Sequence, residues 1–110
     1  MERSDIEDMF SVLGPVTIKR MFGGKGVYAA GHIVAVEVGG DILLKADDVS
    51  APAFEAEGAV RWAYEGKAGK QVYMPYWSIP ADAFDDPANM AHWVKLAHAA
   101  ALRSAKAKRS

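Results

Sequence analysis

The sequence predicts an α+β domain, an antiparallel sheet of five to six strands covered by helices in the order α-β(3-4)-α-β(2)-α. Three observations carry this. Ile6, Met9, Phe10 and Leu13 early in the chain, and Met90, Trp93, Val94, Ala97, Ala100 and Ala101 late in it, recur at the spacing of one buried helical face. Between them lie short β-branched runs, too brief for helices. Glycine-containing turns separate those runs, the punctuation of an antiparallel meander.

Each element has a local cause. Ser4, with Glu7 three residues on, makes a capping-box pattern for the first helix, which Gly14 and Pro15 stop. Val16 to Phe22 is rich in β-formers. Val27 to Ala30, Ile33 to Val38 and Ile42 to Leu44 follow, parted by a turn at Gly31 and His32 and by Gly39, Gly40 and Asp41. Asp47, Asp48 and Ser50 offer N-caps to a helix over 51–57, with Pro52 in its first turn and Gly58 at its end. Val60, Trp62 and Tyr64 alternate with Arg61 and Ala63, as a strand requires, and EGKAG is a hairpin loop. The returning strand is 71–77, where Pro75 demands an edge position or a bulge. One turn at 80–84 precedes the last helix, which Asp86 caps and Pro87 opens.

Composition narrows the function classes. At 110 residues the chain is one domain, able to bury about two-thirds of its unfolded surface. It has no cysteine, which excludes disulfides, thiol catalysis and cysteine-ligated metal sites. The opening MERSDIEDMF puts charges where a signal peptide needs an apolar stretch, and no uncharged run approaches ~20 residues. The expectation is therefore a cytoplasmic protein without a membrane span. Net charge is −1, but Arg103, Lys106, Lys108 and Arg109 are unopposed by acids. Residues 1–102 are read as a single domain and 103–110 as a basic, frayed tail. Four charges on an otherwise acidic chain attract phosphate backbones weakly, so direct nucleic-acid binding is disfavoured.

The segment RMFGGKGVY, Arg20 to Tyr28, sets Met21 and Phe22 against Gly23, Gly24 and Gly26. Glycines there end a strand sharply or let another surface approach bare backbone. The run, then Leu44–Lys45, FEAEG at 54–58, Tyr64, MPYW at 74–77, Ile79–Pro80 and Asp85–Pro87, resembles in order and spacing the TfoX N-terminal domain of bacterial competence regulators. The resemblance covers about residues 4 to 100. It implies a regulatory module with no recognised enzyme activity and no catalytic residues to transfer. Longer members carry a C-terminal domain and are thought to act with the cyclic-AMP receptor protein; the expectation here is a stand-alone N-terminal module.

No chemistry-bearing constellation competes with that reading. Lys25 is followed by Gly26 and a strand, so neither a Walker A loop nor a dinucleotide fingerprint is present. His92 and His98 lie about 240° apart around a helix and cannot share a metal as an i, i+4 pair would. Asp82, Asp85 and Asp86 lack a calcium-loop pattern and suit a helix N-terminus. Glu55, Glu57 and Glu65 have no histidine, metal or nucleophile pattern beside them. No cofactor is expected, and no catalytic or metal site.

The aromatics of the last strand pair are the stronger signal. Tyr73, Tyr76 and Trp77 fall on both faces of one strand, so one face fills the core; aromatics on the other either pack into the core as well, the commoner outcome, or form a contact patch. The expected partner interface is Met21, Phe22, Gly23, Gly24, Tyr73, Tyr76 and Trp77, engaging another protein or a second copy in a homodimer. The competing class is a small-ligand-binding or enzymatic domain using a cleft beside Gly23–Gly26.

Overall fold

The computed structural model describes residues 2–21 and 23–109. Among these the chain runs through α1 (Arg3–Met9), β1 (Thr17–Met21), β2 (Gly24–Ala29), β3 (His32–Val38), β4 (Asp41–Lys45), α2 (Ala51–Ala56), β5 (Arg61–Glu65), β6 (Gln71–Ser78) and α3 (Pro87–Arg109). Short 3-10 turns occupy Ser11–Leu13, Lys67–Gly69 and Ala81–Asp85. The strands form one antiparallel sheet in the order β1-β2-β3-β4-β6-β5. The α+β architecture read from the sequence is the architecture observed, with four strands in the first run.

Turn chemistry sets the meander. Gly39 and Gly40 both have positive φ, 59° and 88°, the pair that a tight turn matched to strand twist requires. Between β2 and β3 the same role falls to Ala30 and Gly31, at φ 49° and 84°. That turn sits one residue earlier than Gly31–His32, and His32 opens β3 instead. β6 is inserted between β4 and β5, so Pro75 is not on an edge strand. It lies in the bulge of the alternative reading: Arg61 pairs with Trp77 and Ala63 with Tyr73, setting one residue against three. The Met74 carbonyl in the bulge accepts a hydrogen bond from Arg61 Nε at 2.8 Å.

The helices collect on one face of the sheet. Ile6 and Phe10 from α1, Phe54 from α2, and Met90, Trp93, Val94, Ala97 and Ala101 from α3 form one cluster with Val27, Ala35, Ile42, Leu44 and Trp77 of the sheet. Phe54 is its hinge point, with its ring 4.8 Å from Trp93 and 6.2 Å from Trp77. Burying such an aromatic is worth on the order of 2–3 kcal/mol, and the cluster repeats this across three helices.

Some helix ends agree with the sequence and others differ: α1 stops at Met9, and a separate 3-10 turn at Ser11–Leu13 carries the chain to Gly14. Asp86 caps α3 as expected, accepting hydrogen bonds from the Ala88 and Asn89 amides at 3.0 and 3.4 Å. α1 begins at Arg3, so Ser4 is already inside the helix and the Ser4–Glu7 capping box does not form; Glu2 is the N-cap, without a side-chain bond. The stretch from residue 103, expected as a frayed tail, continues α3 as far as Arg109. Alanine-rich sequence favours the helix there, and Arg103 is tied to Asp47 by an ion pair.

Candidate functional site

Alternation along each strand assigns the side chains to two faces. The covered face carries Ile18, Val27, Ala35, Leu44 and Trp77, which pair in register across the sheet. The opposite face carries Lys19 and Met21 of β1, Tyr28 of β2, Ile33 and Val36 of β3, Leu43 of β4, Tyr76 of β6, and Trp62 and Tyr64 of β5. Of these nine, Val36 and Tyr76 are buried, yet neither they nor the others join the helix-side core. They cover one another, and no described helix packs on them.

Close contacts organise this open face. Gly26 lacks a side chain, and a Cβ there would meet Met21 Sδ at 3.0 Å, Tyr28 Cε1 at 3.0 Å and Ile33 Cδ1 at 3.2 Å. The missing side chain lets these three fold over the strand. Lys19 Nζ sits 5.0 Å from the centre of the Tyr28 ring, a cation–π contact. Farther along, the Trp62 ring lies 6.4 Å from Tyr76 and 6.2 Å from Tyr64. Burial, and then the neighbouring Tyr28, push the Tyr76 hydroxyl above the usual tyrosine range. It stays neutral at physiological pH and adds no charge to the surface.

The expected interface residues separate under this geometry. Met21 is on the open face and 44% exposed, because β1 is an edge strand and its parity points away from the helices. Tyr76 shares that face but is only 7% exposed beneath its neighbours. Trp77 points the other way and, at 8%, is a core residue; it cannot front an interface. Tyr73 has the same parity as Trp77 but stands near the distal end of the β5–β6 hairpin, 61% exposed, with the Arg61 guanidinium 5.6 Å from its ring. Gly23 is the turn residue between β1 and β2, at φ 72°. Gly24 is a close-approach position, since a Cβ there would lie 1.7 Å from the Glu37 carbonyl oxygen. Phe22 lies outside the described residues. The open face also carries Tyr28, Ile33, Leu43 and Lys19, which only strand register reveals. Trp62 and Tyr64 could be found from alternation alone.

Among the described residues, a cleft lies on each face of the sheet, neither walled by residues 23–26. One, about 530 Å³, lies on the helix side between β6, the start of α2 and the end of α3; Arg61, Trp77 and the Asp47–Arg103 pair line it. The other, about 400 Å³, lies at the open face, walled by Val38, Leu43, Val60 and Trp62 with Asp41 and Ser78. Among the described residues no three His, Asp or Glu side chains gather as a metal site, and no helix is long and apolar enough to cross a membrane.

The family model described as the TfoX N-terminal domain matches residues 8–101, most of the 110-residue chain. The chain belongs to the TfoX N-terminal domain family. This is a regulatory family, associated with competence. No curated protein matches the chain. The matched span of this TfoX N-terminal domain includes all six strands, and hence the whole open face.

Proposed function

We propose that this TfoX N-terminal domain is a non-enzymatic adaptor that docks a protein partner on the open face of its sheet, in a pathway linked to transcription or competence. One observation carries the reading: a strip of apolar and aromatic side chains runs from Met21 on one edge strand to Tyr64 on the other, on the side away from every described helix. Met21 and Tyr64 stand exposed at its two ends; apolar side chains left uncovered in a patch mark interaction surfaces, and Tyr, Trp and Met are the residues enriched in interface cores. Family membership supports the regulatory setting. The neutral Tyr76 and the few charges on the strip favour a protein surface over a phosphate backbone.

The test is capture from nuclease-treated native lysate, comparing the wild type with two variants. Met21→Glu combined with Tyr64→Glu places two carboxylates on the open face; Phe84→Glu places one on the exposed helix side. A companion recovered in stoichiometric amount with wild type and Phe84→Glu, and lost with the double variant, is the expected result. Retention by the double variant would move the docking site elsewhere.

A further inference from the structure

The sheet ends on β1 at one side and on β5 at the other. β5 is bulged against β6, and its Arg61 is turned back onto the Met74 carbonyl and the Tyr73 ring. β1 is regular: its five residues pair one to one with Tyr28 through Gly24. Among the described residues, no backbone group of 17–21 has a hydrogen bond outside that ladder. A straight strand with an unpaired row of amides and carbonyls is a template for one more strand.

Charge decides which strand fits. From Met9 to Val36 the chain has no acidic residue. Within that stretch Lys19 and Arg20 stand exposed on β1, with Lys25 opposite Arg20 on β2. None of the three has an ion-pair partner among the described residues. Lys19 rests over the Tyr28 ring. Arg20 makes no such contact, and its guanidinium fork suits a carboxylate. Two copies of this edge centred on one another would set cation against cation, which disfavours self-pairing. Half-buried Ile18 and exposed Met21 flank the charges, so the strand reads apolar, cation, cation, apolar.

We propose that β1 takes, as a seventh strand, an extended segment of a protein partner in which two consecutive acidic residues are flanked by apolar ones. Alternation then gives each face of the added pair one carboxylate against a cation and one apolar side chain against Ile18 or Met21. The pattern is the same read in either direction. Backbone hydrogen bonds supply the adhesion and the side chains the choice, as in other strand additions. The inference rests on the reading of this domain as a protein-binding module and names the chemistry of what it binds. Lys19 and Met21 also belong to the open face, so the added strand lengthens the strip that begins there.

The probe is the peptide acetyl-STVEEVTS-amide, titrated to ~1 mM into the isotope-labelled full chain and followed by nuclear magnetic resonance, a range that reads weak binding as well as strong. The expected result is shifts of the backbone amides of 17–21 and of the paired 24–28, approaching saturation, with Trp62 and Tyr64 at the far edge unmoved. Lys19→Glu/Arg20→Glu should weaken binding roughly tenfold or more. That variant should instead bind acetyl-STVKKVTS-amide, an exchange of preference that loss of the fold cannot produce. The first peptide N-methylated at its central residues keeps its charge but cannot pair its backbone, and should not bind. Absence of shifts at ~1 mM, or shifts centred elsewhere, would overturn the inference. So would equal binding of the methylated peptide, which reduces the site to a contact for any anion, or tighter binding of oligothymidylate at the same residues, which assigns the edge to a phosphate backbone. A chain that ignores the peptide yet captures a companion in a Tyr64-dependent way would lose the edge site and keep the open-face docking.

Discussion

Arg103 near the end of α3 and Asp47 in the loop before α2, 56 residues apart, form a two-pronged ion pair: Nε donates to Oδ2 at 2.6 Å and Nη2 to Oδ1 at 2.8 Å. The same carboxylate accepts hydrogen bonds from the amides of Val49 and Ser50 at 3.1 Å. One side chain thus shapes the turn that launches α2 and fixes the last turns of α3. The guanidinium, with the Ser50 amide assisting, lowers the Asp47 carboxyl to about 2 against the opposing effect of burial.

A pH prediction follows with a definite sign. The folded carboxyl lies below its unfolded value of about 3.9, so its stabilisation is complete above that value and fades as pH falls toward 2. Arg103→Ala should cost about 0.5–1 kcal/mol at neutral pH, since both groups are partly exposed. Urea unfolding at a series of pH values should show the gap between wild type and variant closing between pH 4 and 2. Asp47→Ala should cost more, about 1–2 kcal/mol, because the turn also loses its capping acceptor.

Neighbouring glycines should respond unequally. Gly23→Ala strains only a left-handed backbone with open space around it and should cost about 1–2 kcal/mol. Gly24→Ala drives a methyl group into the Glu37 carbonyl of the adjacent strand and should cost ~3 kcal/mol or more. Equilibrium urea denaturation of both variants measures the difference.

The two faces of the sheet should differ in what truncation does. Phe54→Ala removes the ring between Trp77 and Trp93 and should destabilise by ~3–5 kcal/mol. Leu43→Ala, on the half-buried open face, should cost about 1 kcal/mol. Thermal unfolding followed by circular dichroism tests the contrast.

Tryptophan emission offers an independent view of the open face. Trp77 and Trp93 are buried in the helix-side core, whereas Trp62 is half-buried on the other face. Acrylamide should therefore quench chiefly Trp62, and Trp62→Phe should leave a spectrum that acrylamide barely reduces.

The fold was legible because each element carried its own local signal: the Ile6–Leu13 spacing, the Gly39–Gly40 turn, the Asp86–Pro87 helix start. The open face was only half legible. Trp62 and Tyr64 declare a common face by alternation, but whether that face meets helices or solvent depends on β6 inserting between β4 and β5, a long-range pairing. Tyr28 and Ile33 come together over Gly26 through cross-strand register, and the bulges at Val27/Tyr28 and around Pro75 break the simple parity count. The last turns of α3 misled for a similar reason. Their charges read as a solvated end, while Arg103 has its partner 56 residues upstream.

The most direct measurement of the central claim is hydroxyl-radical footprinting of the chain alone and in its isolated assembly. Docking on the open face predicts loss of oxidation at Met21, Trp62 and Tyr64, with Val49, Phe84 and Leu102 on the helix side unchanged. Protection confined to the helix side, with Met21 and Tyr64 still oxidised in the assembly, would contradict it.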